Sequence, residues 1–207
     1  MLPLETPRAS DSYSAVERIW LGPARAVLAA LYGPLARLLA ALGVPPNAVS
    51  LSQIPLGFAV VALIPVQPAL AFVLFLVTLA VDGVDGALAR RAGRATRFGA
   101  LLDQYADHIR EVTVVGGFAL HGALNPFLAV MYAIAYPATN LTLYLANERA
   151  VPVPVAIKTY MTFYPAVALY LLGGINVLDA AAGIALGSMT AVVAIGMWRL
   201  SRVMDRA

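Results

Sequence analysis

Three long stretches of the chain contain no lysine or arginine, and apolar residues dominate all three. They cover residues 38–89, 111–148 and 159–198. A helix that crosses a bilayer needs about 20 apolar residues, so each stretch can hold much of a hairpin of two crossing helices. Proline, glycine and asparagine positions divide the stretches into expected spans at 47–64, 69–91, 95–121, 126–147, 155–172 and 176–199. The pattern predicts an all-α integral membrane protein with a core of six transmembrane helices over residues 47–200.

Residues 1–43 precede this core and are more polar. Apolar runs alternate there with charged residues, and Gly-Pro pairs interrupt them. Such segments are typical of amphipathic helices that lie in the membrane interface. We therefore expect a tail and N-terminal interfacial amphipathic helices over 1–43, within one domain that covers residues 1–207. A seventh span over 26–43 is the alternative, and Arg37 near its middle argues against it.

Composition supports a membrane protein, because 61% of the 207 residues are hydrophobic and only 12% are charged. The charged share is about half of that in soluble domains. The chain has no cysteine, which excludes thiolate metal sites and cysteine nucleophiles. Basic residues lie between the apolar stretches, and positive charge marks the cytoplasmic side of a membrane. We expect a multi-pass protein of the cell membrane with both termini on the cytoplasmic side and with no nucleic-acid partner.

Four aspartates, Asp82, Asp85, Asp103 and Asp107, lie near the ends of two predicted spans. Helix positions three and four apart share a face, so two helices joined by a turn would direct all four carboxylates into one cleft. A carboxylate inside a membrane costs several kcal/mol (roughly 2.5–3.5), which makes such acids functional candidates. Oxygen ligands favour divalent cations such as Mg²⁺, Mn²⁺ or Ca²⁺. The alternative is a solvated loop in which these acids pair with arginines, but Asp103 and Asp107 lie deep in an apolar run.

The same stretch resembles the complete signature of the CDP-alcohol phosphotransferase family. It reads Asp82-x2-Asp85-Gly86-x2-Ala89-Arg90-x8-Gly99-x3-Asp103-x3-Asp107. The resemblance implies a homodimeric membrane enzyme of phospholipid biosynthesis. Such an enzyme transfers a phosphatidyl-type group from a CDP-lipid to a small alcohol acceptor and releases CMP.

The resemblance also assigns roles to residues of the motif. Asp82, Asp85 and Asp103 are expected to bind two Mg²⁺ or Mn²⁺ ions, and Asp107 is expected to act as the general base and to contact a metal as well. The expected contacts of the cytidine nucleotide are Gly86, Ala89, Arg90 and Gly99.

Three further cations, Arg110, Arg149 and Lys158, are candidates for binding an acceptor that carries its own phosphate. They favour a phosphorylated polyol such as inositol phosphate or glycerol phosphate. Serine or another unphosphorylated alcohol remains an alternative acceptor, and transfer from a CDP-amino-alcohol to diacylglycerol is a more distant one. Arg110 has the alternative of an ion pair with Glu111 or Glu148. His108 follows Asp107 at a position where several related enzymes have Lys or Arg. This difference leaves the identity of the acceptor alcohol open.

A divalent-cation transporter is the alternative of another functional class. It predicts acidic residues near the bilayer midplane and further polar residues towards the outer side. Residues 112–120 contain only Thr113 as a polar side chain, and the acids cluster at the predicted cytoplasmic end.

We expect packing or interfacial positions for six tyrosines: Tyr132, Tyr136, Tyr144, Tyr160, Tyr164 and Tyr170.

Overall fold

The computed structural model describes residues 32–151, 153–154 and 157–204, and the regular structure within these ranges is helical. Residues 32–41 form helix α1. The helices that follow are α2 (Pro46–Leu63), α3 (Pro68–Arg91), α4 (Arg97–Leu120), α5 (Pro126–Glu148), α6 (Thr159–Gly173) and α7 (Leu178–Met204). These six follow the predicted spans closely, except that α6 begins later and α7 ends later than expected. The all-α fold is confirmed.

Four of the described helices, α2, α3, α5 and α7, are long and apolar enough to cross a membrane. Together they indicate a multi-pass membrane protein. α4 carries charged residues along its first half, and α6 has only 15 residues. At 1.5 Å per residue α6 is about 22 Å long, which is shorter than the roughly 30 Å of a bilayer core.

Helix α2 is the centre of one half of the bundle, because both α3 and α4 pack along it. In the other half α5 packs along α7, and α6 also packs on α7. Contacts of α4 with α5 and of α3 with α6 join the halves. The main hydrophobic core lies at this junction, around Phe75, Phe118, Tyr132 and Phe163.

The turns after α2, α4 and α6 meet at one end of the bundle. The Asn176 side chain donates to the Ala123 carbonyl at 2.7 Å, and the Asn125 amide donates to Asp179 Oδ1 at 2.7 Å. His121 Nε2 lies 3.1 Å from the Val61 carbonyl. The turn between α3 and α4 therefore lies at the opposite end.

Most of the predicted N-terminal interfacial segment, residues 1–31, lies outside the described residues. The described part, α1, packs against α2 and α3. Its Ala36 is 1% exposed and belongs to a cluster with Val49, Val84 and Leu88. Helix α1 thus covers the side of α3 that carries Val84 and Leu88.

Helices α2 and α4 approach closely because α4 has a glycine at the contact. A Cβ at Gly117 would lie 2.4 Å from Val61 Cγ2, which is shorter than any real carbon contact. Small residues at such positions allow membrane helices to pack closely. Gly117 therefore sets the distance between these two helices.

Replacing Gly117 with alanine should lower the stability of the protein. Overpacking a tight contact costs about 1–3 kcal/mol. The thermal unfolding midpoint in one detergent measures the effect. Gly116→Ala is the matched control, because no atom lies within 4 Å of a Cβ built there. Val61→Ala should restore part of the loss in the double variant, and equal midpoints for the two glycine variants would contradict the packing argument.

Candidate active site

The four motif aspartates lie on two helices that both rest on a third. Asp82 and Asp85 belong to α3, and Asp103 and Asp107 belong to α4. Contacts between α3 and α4 are few, whereas each packs extensively on α2. A cleft therefore separates α3 from α4, and α2 forms its floor.

The turn at the mouth of this cleft is set by the local sequence. Gly93 has a φ of +63°, a conformation that glycine adopts without a steric cost. The Arg94 amide donates to the Ala89 carbonyl at 2.9 Å, in the arrangement that commonly ends a helix. α4 then begins after Thr96, whose hydroxyl oxygen accepts from the Gly99 amide at 2.9 Å. These bonds reverse the chain and bring the two aspartate pairs to one end of the bundle.

Asp85 and Asp103 lie within hydrogen-bonding reach of each other across the cleft. Asp85 is only 3% exposed, and its oxygens accept from the Ser50 hydroxyl of α2 and from the Gly86 amide. Oδ1 of Asp103 is buried and has no hydrogen-bond partner among the described residues. A buried carboxylate oxygen without a donor is costly unless a positive group can approach it.

Asp107 has protein partners at both of its oxygens. Arg110, one turn further along α4, donates to Oδ1. The Tyr136 hydroxyl of α5 donates to Oδ2 at 3.1 Å. Arg110 in turn donates through Nη1 to Gln53 Oε1 of α2 at 3.2 Å. Side chains of α4 and α5 thus hold the Asp107 carboxylate, and Gln53 of α2 contacts it only through Arg110.

Glu111 is a second buried acid beside this group, with 1% exposure. Tyr132 of α5 donates to its Oε1 at 2.7 Å, and Tyr164 of α6 donates to its Oε2 at 2.9 Å. Arg110 Nη2 lies 3.7 Å from Glu111 Oε2. The ion pair between Arg110 and Glu111, given above as the alternative role of Arg110, is therefore present, together with a pair to Asp107 that the sequence did not predict.

The chemistry of the site suits a divalent cation. The negative charge of Asp107 acts on the carboxylates of Asp82, Asp85 and Asp103. Their donor atoms are all oxygen, which is the preference of Mg²⁺ and Mn²⁺. Within the described ranges, no three acidic or imidazole side chains are already arranged as one coordination sphere. The residues therefore suit a cation in three ways: they carry negative charge, their donor atoms are oxygens, and the buried Asp103 Oδ1 lacks a hydrogen-bond donor among the described residues.

The residues expected to contact a nucleotide lie at the mouth of the cleft. The exposed Arg90 folds back over Gly86, since a Cβ on that glycine would lie 3.2 Å from Arg90 Nη1. A Cβ at Gly99 would lie 3.4 Å from Asn47 Oδ1 of α2. Ala89 lies between these positions near the end of α3. None of these three positions carries a side chain larger than a methyl group.

The three candidate cations for the acceptor occupy different environments. Arg110 is 2% exposed and contacts the protein groups described above. Lys158 Nζ lies 3.4 Å from Asn140 Oδ1, and its charge acts on His108, next to Asp107. Arg149 is exposed at the end of α5. The structure thus brings Arg110 and Lys158 towards Asp107, and the described contacts do not include Arg149 among them.

Described residues just before α6 contact α5 and α7. Val153 is fully buried against α5 and α7, and the Ile157 amide donates to Ser188 Oγ at 3.0 Å. A small cavity of about 10 Å³ lies beside Lys158. It is lined by Tyr136, Thr139, Asn140, Ile157, Lys158, Thr159 and Met189.

Sequence reasoning did not identify five polar residues that the structure adds to the site: Ser50, Gln53, Tyr132, Tyr136 and Tyr164. The three tyrosines pack as expected, and the rings of Tyr132 and Tyr136 stack with centroids 5.8 Å apart. Their hydroxyls, however, also bind acids of α4. Two signals were available, since Ser50 and Gln53 are polar residues three apart in an apolar helix and the stacked tyrosines are four apart.

Comparisons with known proteins point to one family. Residues 44–199 match the model of the CDP-alcohol phosphatidyltransferase family. The archaetidylinositol phosphate synthase of Pyrococcus horikoshii is 31% identical over 116 residues, which are 50% of this chain and 60% of that protein. The phosphatidylinositol phosphate synthase of Mycobacterium marinum is 39% identical over 97 residues, 45% of this chain and 41% of that protein. The synthase of the same name from Streptomyces avermitilis is 33% identical over 81 residues, 37% of this chain and 33% of that protein. The aligned part of the chain thus covers between one third and three fifths of these relatives.

Removing the hydroxyl of Tyr132 or Tyr164 should destabilise the protein, because Glu111 would lose a hydrogen bond in a buried position. The expected cost is about 1–3 kcal/mol for each phenylalanine variant. Thermal unfolding in detergent measures it. Tyr170→Phe is the control, since the Tyr170 ring packs edge-on against Phe118 in the same core. Midpoints of Tyr132→Phe and Tyr164→Phe that match this control would contradict the role of the two hydroxyls.

Proposed function

The chain belongs to the CDP-alcohol phosphatidyltransferase family, and we propose that it transfers a phosphatidyl-type group from a CDP-lipid to an alcohol acceptor in phospholipid biosynthesis. The acceptor oxygen bonds to the lipid-linked phosphorus, and the bond from that phosphorus to CMP breaks. The observation that carries this proposal is the cleft between α3 and α4, which contains all four motif aspartates. CDP-diacylglycerol or a similar CDP-lipid would be the donor.

Two Mg²⁺ or Mn²⁺ ions are the proposed cofactors. Asp82, Asp85 and Asp103 would hold them, with Asp107 as an additional ligand. When bound, such ions neutralise the diphosphate and stabilise the attacking and leaving oxygens of an in-line displacement. The close approach of these carboxylates to the charge of Asp107 and the buried Asp103 oxygen support this assignment.

Asp107 is the proposed general base. Its carboxylate would take the proton of the acceptor hydroxyl as the new bond to phosphorus forms. A positioned base contributes about 10²–10⁴-fold to a rate. The contacts of Asp107 with Arg110 and Tyr136 support the role, because they hold the carboxylate in one orientation at the wall of the cleft.

The nucleotide is proposed to bind at the mouth of the cleft. Gly86, Ala89 and Gly99 would let it approach the backbone of α3 and α4. Arg90 would leave its position over Gly86 and form bidentate contacts with the phosphates, for which the planar guanidinium is suited. The exposure of Arg90 supports this, because little packing opposes its movement.

A phosphorylated polyol, such as inositol phosphate or glycerol phosphate, is the proposed acceptor. Lys158 beside His108 would contact its phosphate, and Arg149 would approach from the end of α5. Arg110 would add positive charge deeper in the site. The names of the three relatives support a phosphorylated acceptor. The alternative acceptor is serine or another unphosphorylated alcohol, which has no phosphate for Lys158 to contact.

We further propose how the protein sits in its membrane. The six helices α2–α7 would all cross the cell membrane, with α4 shielding its charges inside the bundle and residues 1–43 lying at the interface. The basic residues near the α3–α4 turn support a cytoplasmic active site and cytoplasmic termini. A homodimer is the expected assembly from the family resemblance.

Purified protein in nanodiscs should release CMP from CDP-diacylglycerol when inositol phosphate or glycerol phosphate is added. Lys158→Met should raise the KM for the phosphorylated acceptor about tenfold, as the loss of one charge-assisted hydrogen bond would. Arg202→Met removes a cation that stacks 3.8 Å over the Trp198 ring and serves as the control. CMP release that is equally fast with serine and insensitive to Lys158→Met would exclude phosphate recognition.

Asp107→Asn and Asp82→Asn should have different effects. The first should lower kcat about 10²–10⁴-fold with little change in CDP-lipid affinity, because an amide cannot accept the proton. The second should weaken Mn²⁺ binding, CDP-lipid binding and turnover together, and EDTA should abolish activity of the unmodified protein. Asp179→Asn, at the opposite end of the bundle, is the control. Equal losses of CDP-lipid affinity in the two motif variants would mean that Asp107 is chiefly a metal ligand and not the general base.

A further inference from the structure

Gln53 is a fully buried polar side chain in the middle of an apolar helix. Its exposure is 0%, and its Oε1 accepts from Arg110 Nη1 at 3.2 Å. A buried amide in such a helix is costly unless hydrogen bonds compensate, and here the oxygen is bonded whereas Nε2 has no hydrogen-bond partner among the described residues. The contact with Arg110 is a tertiary one between α2 and α4, so packing of these two helices creates it.

The two terminal nitrogens of the Arg110 guanidinium contact protein groups, whereas its Nε has no hydrogen-bond partner among the described residues. Nη1 bonds to Gln53, Nη2 bonds to Asp107, and Glu111 Oε2 lies 3.7 Å from Nη2. Only 2% of the side chain is exposed. A planar guanidinium presents its donors in a fixed fork, so contacts on both terminal nitrogens fix its orientation. Arg110 is therefore placed to orient Asp107.

The surface of α2 is shaped to receive Arg110. Gly57 lies one turn after Gln53 on the same helix face, and a Cβ built on it would lie 3.3 Å from Arg110 Cγ. Gln53 thus contacts the end of the arginine side chain, while Gly57 makes room for its stem. Two residues of one helix accommodate one side chain of another.

We propose that Gln53 and Arg110 form a positioning pair for the transfer reaction. Arg110 fixes the Asp107 carboxylate at Oδ1, and Gln53 fixes Arg110 from α2. Glu111, which Tyr132 and Tyr164 hold in place, balances the arginine charge. The inference rests on the proposed function of Asp107 as general base. It makes Arg110 a positioning residue that orients Asp107.

A positioning pair affects the chemical step more than substrate binding. Loss of an interaction that acts in the transition state lowers kcat and kcat/KM together, with KM unchanged. A misplacement of about 1 Å can cost roughly 10²-fold in rate. Gln53→Leu should therefore reduce kcat about 10–10²-fold while the KM for CDP-lipid stays within about twofold.

The test compares Gln53→Leu, Arg110→Met and the double variant in nanodiscs by CMP release. If Gln53 acts through Arg110, the double variant should be no slower than Arg110→Met alone, which is the non-additivity of coupled residues. Thr142→Val is the matched control, because it removes a buried hydroxyl that bonds only within its own helix, to the Ala138 carbonyl at 2.8 Å.

Two further measurements on the same variants do not depend on turnover. Mn²⁺ affinity, followed by electron paramagnetic resonance with the metal alone, should fall far less than kcat in Gln53→Leu, because Gln53 acts on Asp107 through Arg110. Gln53 also interacts with Asp82, so a loss of Mn²⁺ affinity as large as the loss of kcat would overturn the positioning pair. The thermal unfolding midpoints of the two single variants and the double variant should be non-additive, because the two side chains contact each other. An unchanged kcat in Gln53→Leu, a loss seen only in KM, or additive losses of kcat would each overturn the positioning pair. A wild-type protein that releases no CMP with any acceptor would instead overturn the proposed function itself.

Discussion

The repulsion among four carboxylates in one cleft is the constraint on which the rest of this structure depends. The charge of Asp107 acts on Asp82, Asp85 and Asp103, and the charges of Asp82 and Asp85 act on Asp103 as well. Direct packing of α3 on α4 does not hold them together, since these helices scarcely touch. Each packs on α2 instead, so packing against α2 holds the two sides of the cleft together. A bound cation would then stabilise an arrangement that helix packing has already imposed.

A connected polar network extends from this cleft through the apolar bundle. It runs from Gln53 on α2 to Arg110 and Glu111 on α4, and then to tyrosine hydroxyls on α5 and α6. Buried polar groups are tolerated when their bonds are made, and such networks fix one relative placement of the helices. The same contacts that stabilise the bundle therefore also orient Asp107.

The sequence predicted the helices well, because long apolar stretches separated by Pro, Gly and Asn give a direct signal. It also predicted the four acids on two helices, because their spacing is a local property. The partners of Arg110 and Glu111 were only partly predicted, since Gln53 and Tyr164 lie 57 and 53 residues away in the chain and meet them only after folding. The late start of α6 has a similar cause, because the preceding segment bonds to Ser188 of α7 instead of continuing the helix.

The most direct test of the central claim is the position of Mn²⁺ in a crystal of the protein soaked with a CDP-alcohol. Anomalous scattering locates the metal independently of any assumed mechanism. We expect a peak between α3 and α4, with oxygens of Asp82, Asp85 and Asp103 at about 2.0–2.6 Å. A well-occupied Mn²⁺ peak elsewhere, with these aspartates ordered and without metal contacts, would contradict the assignment of the cleft as a metal-dependent active site.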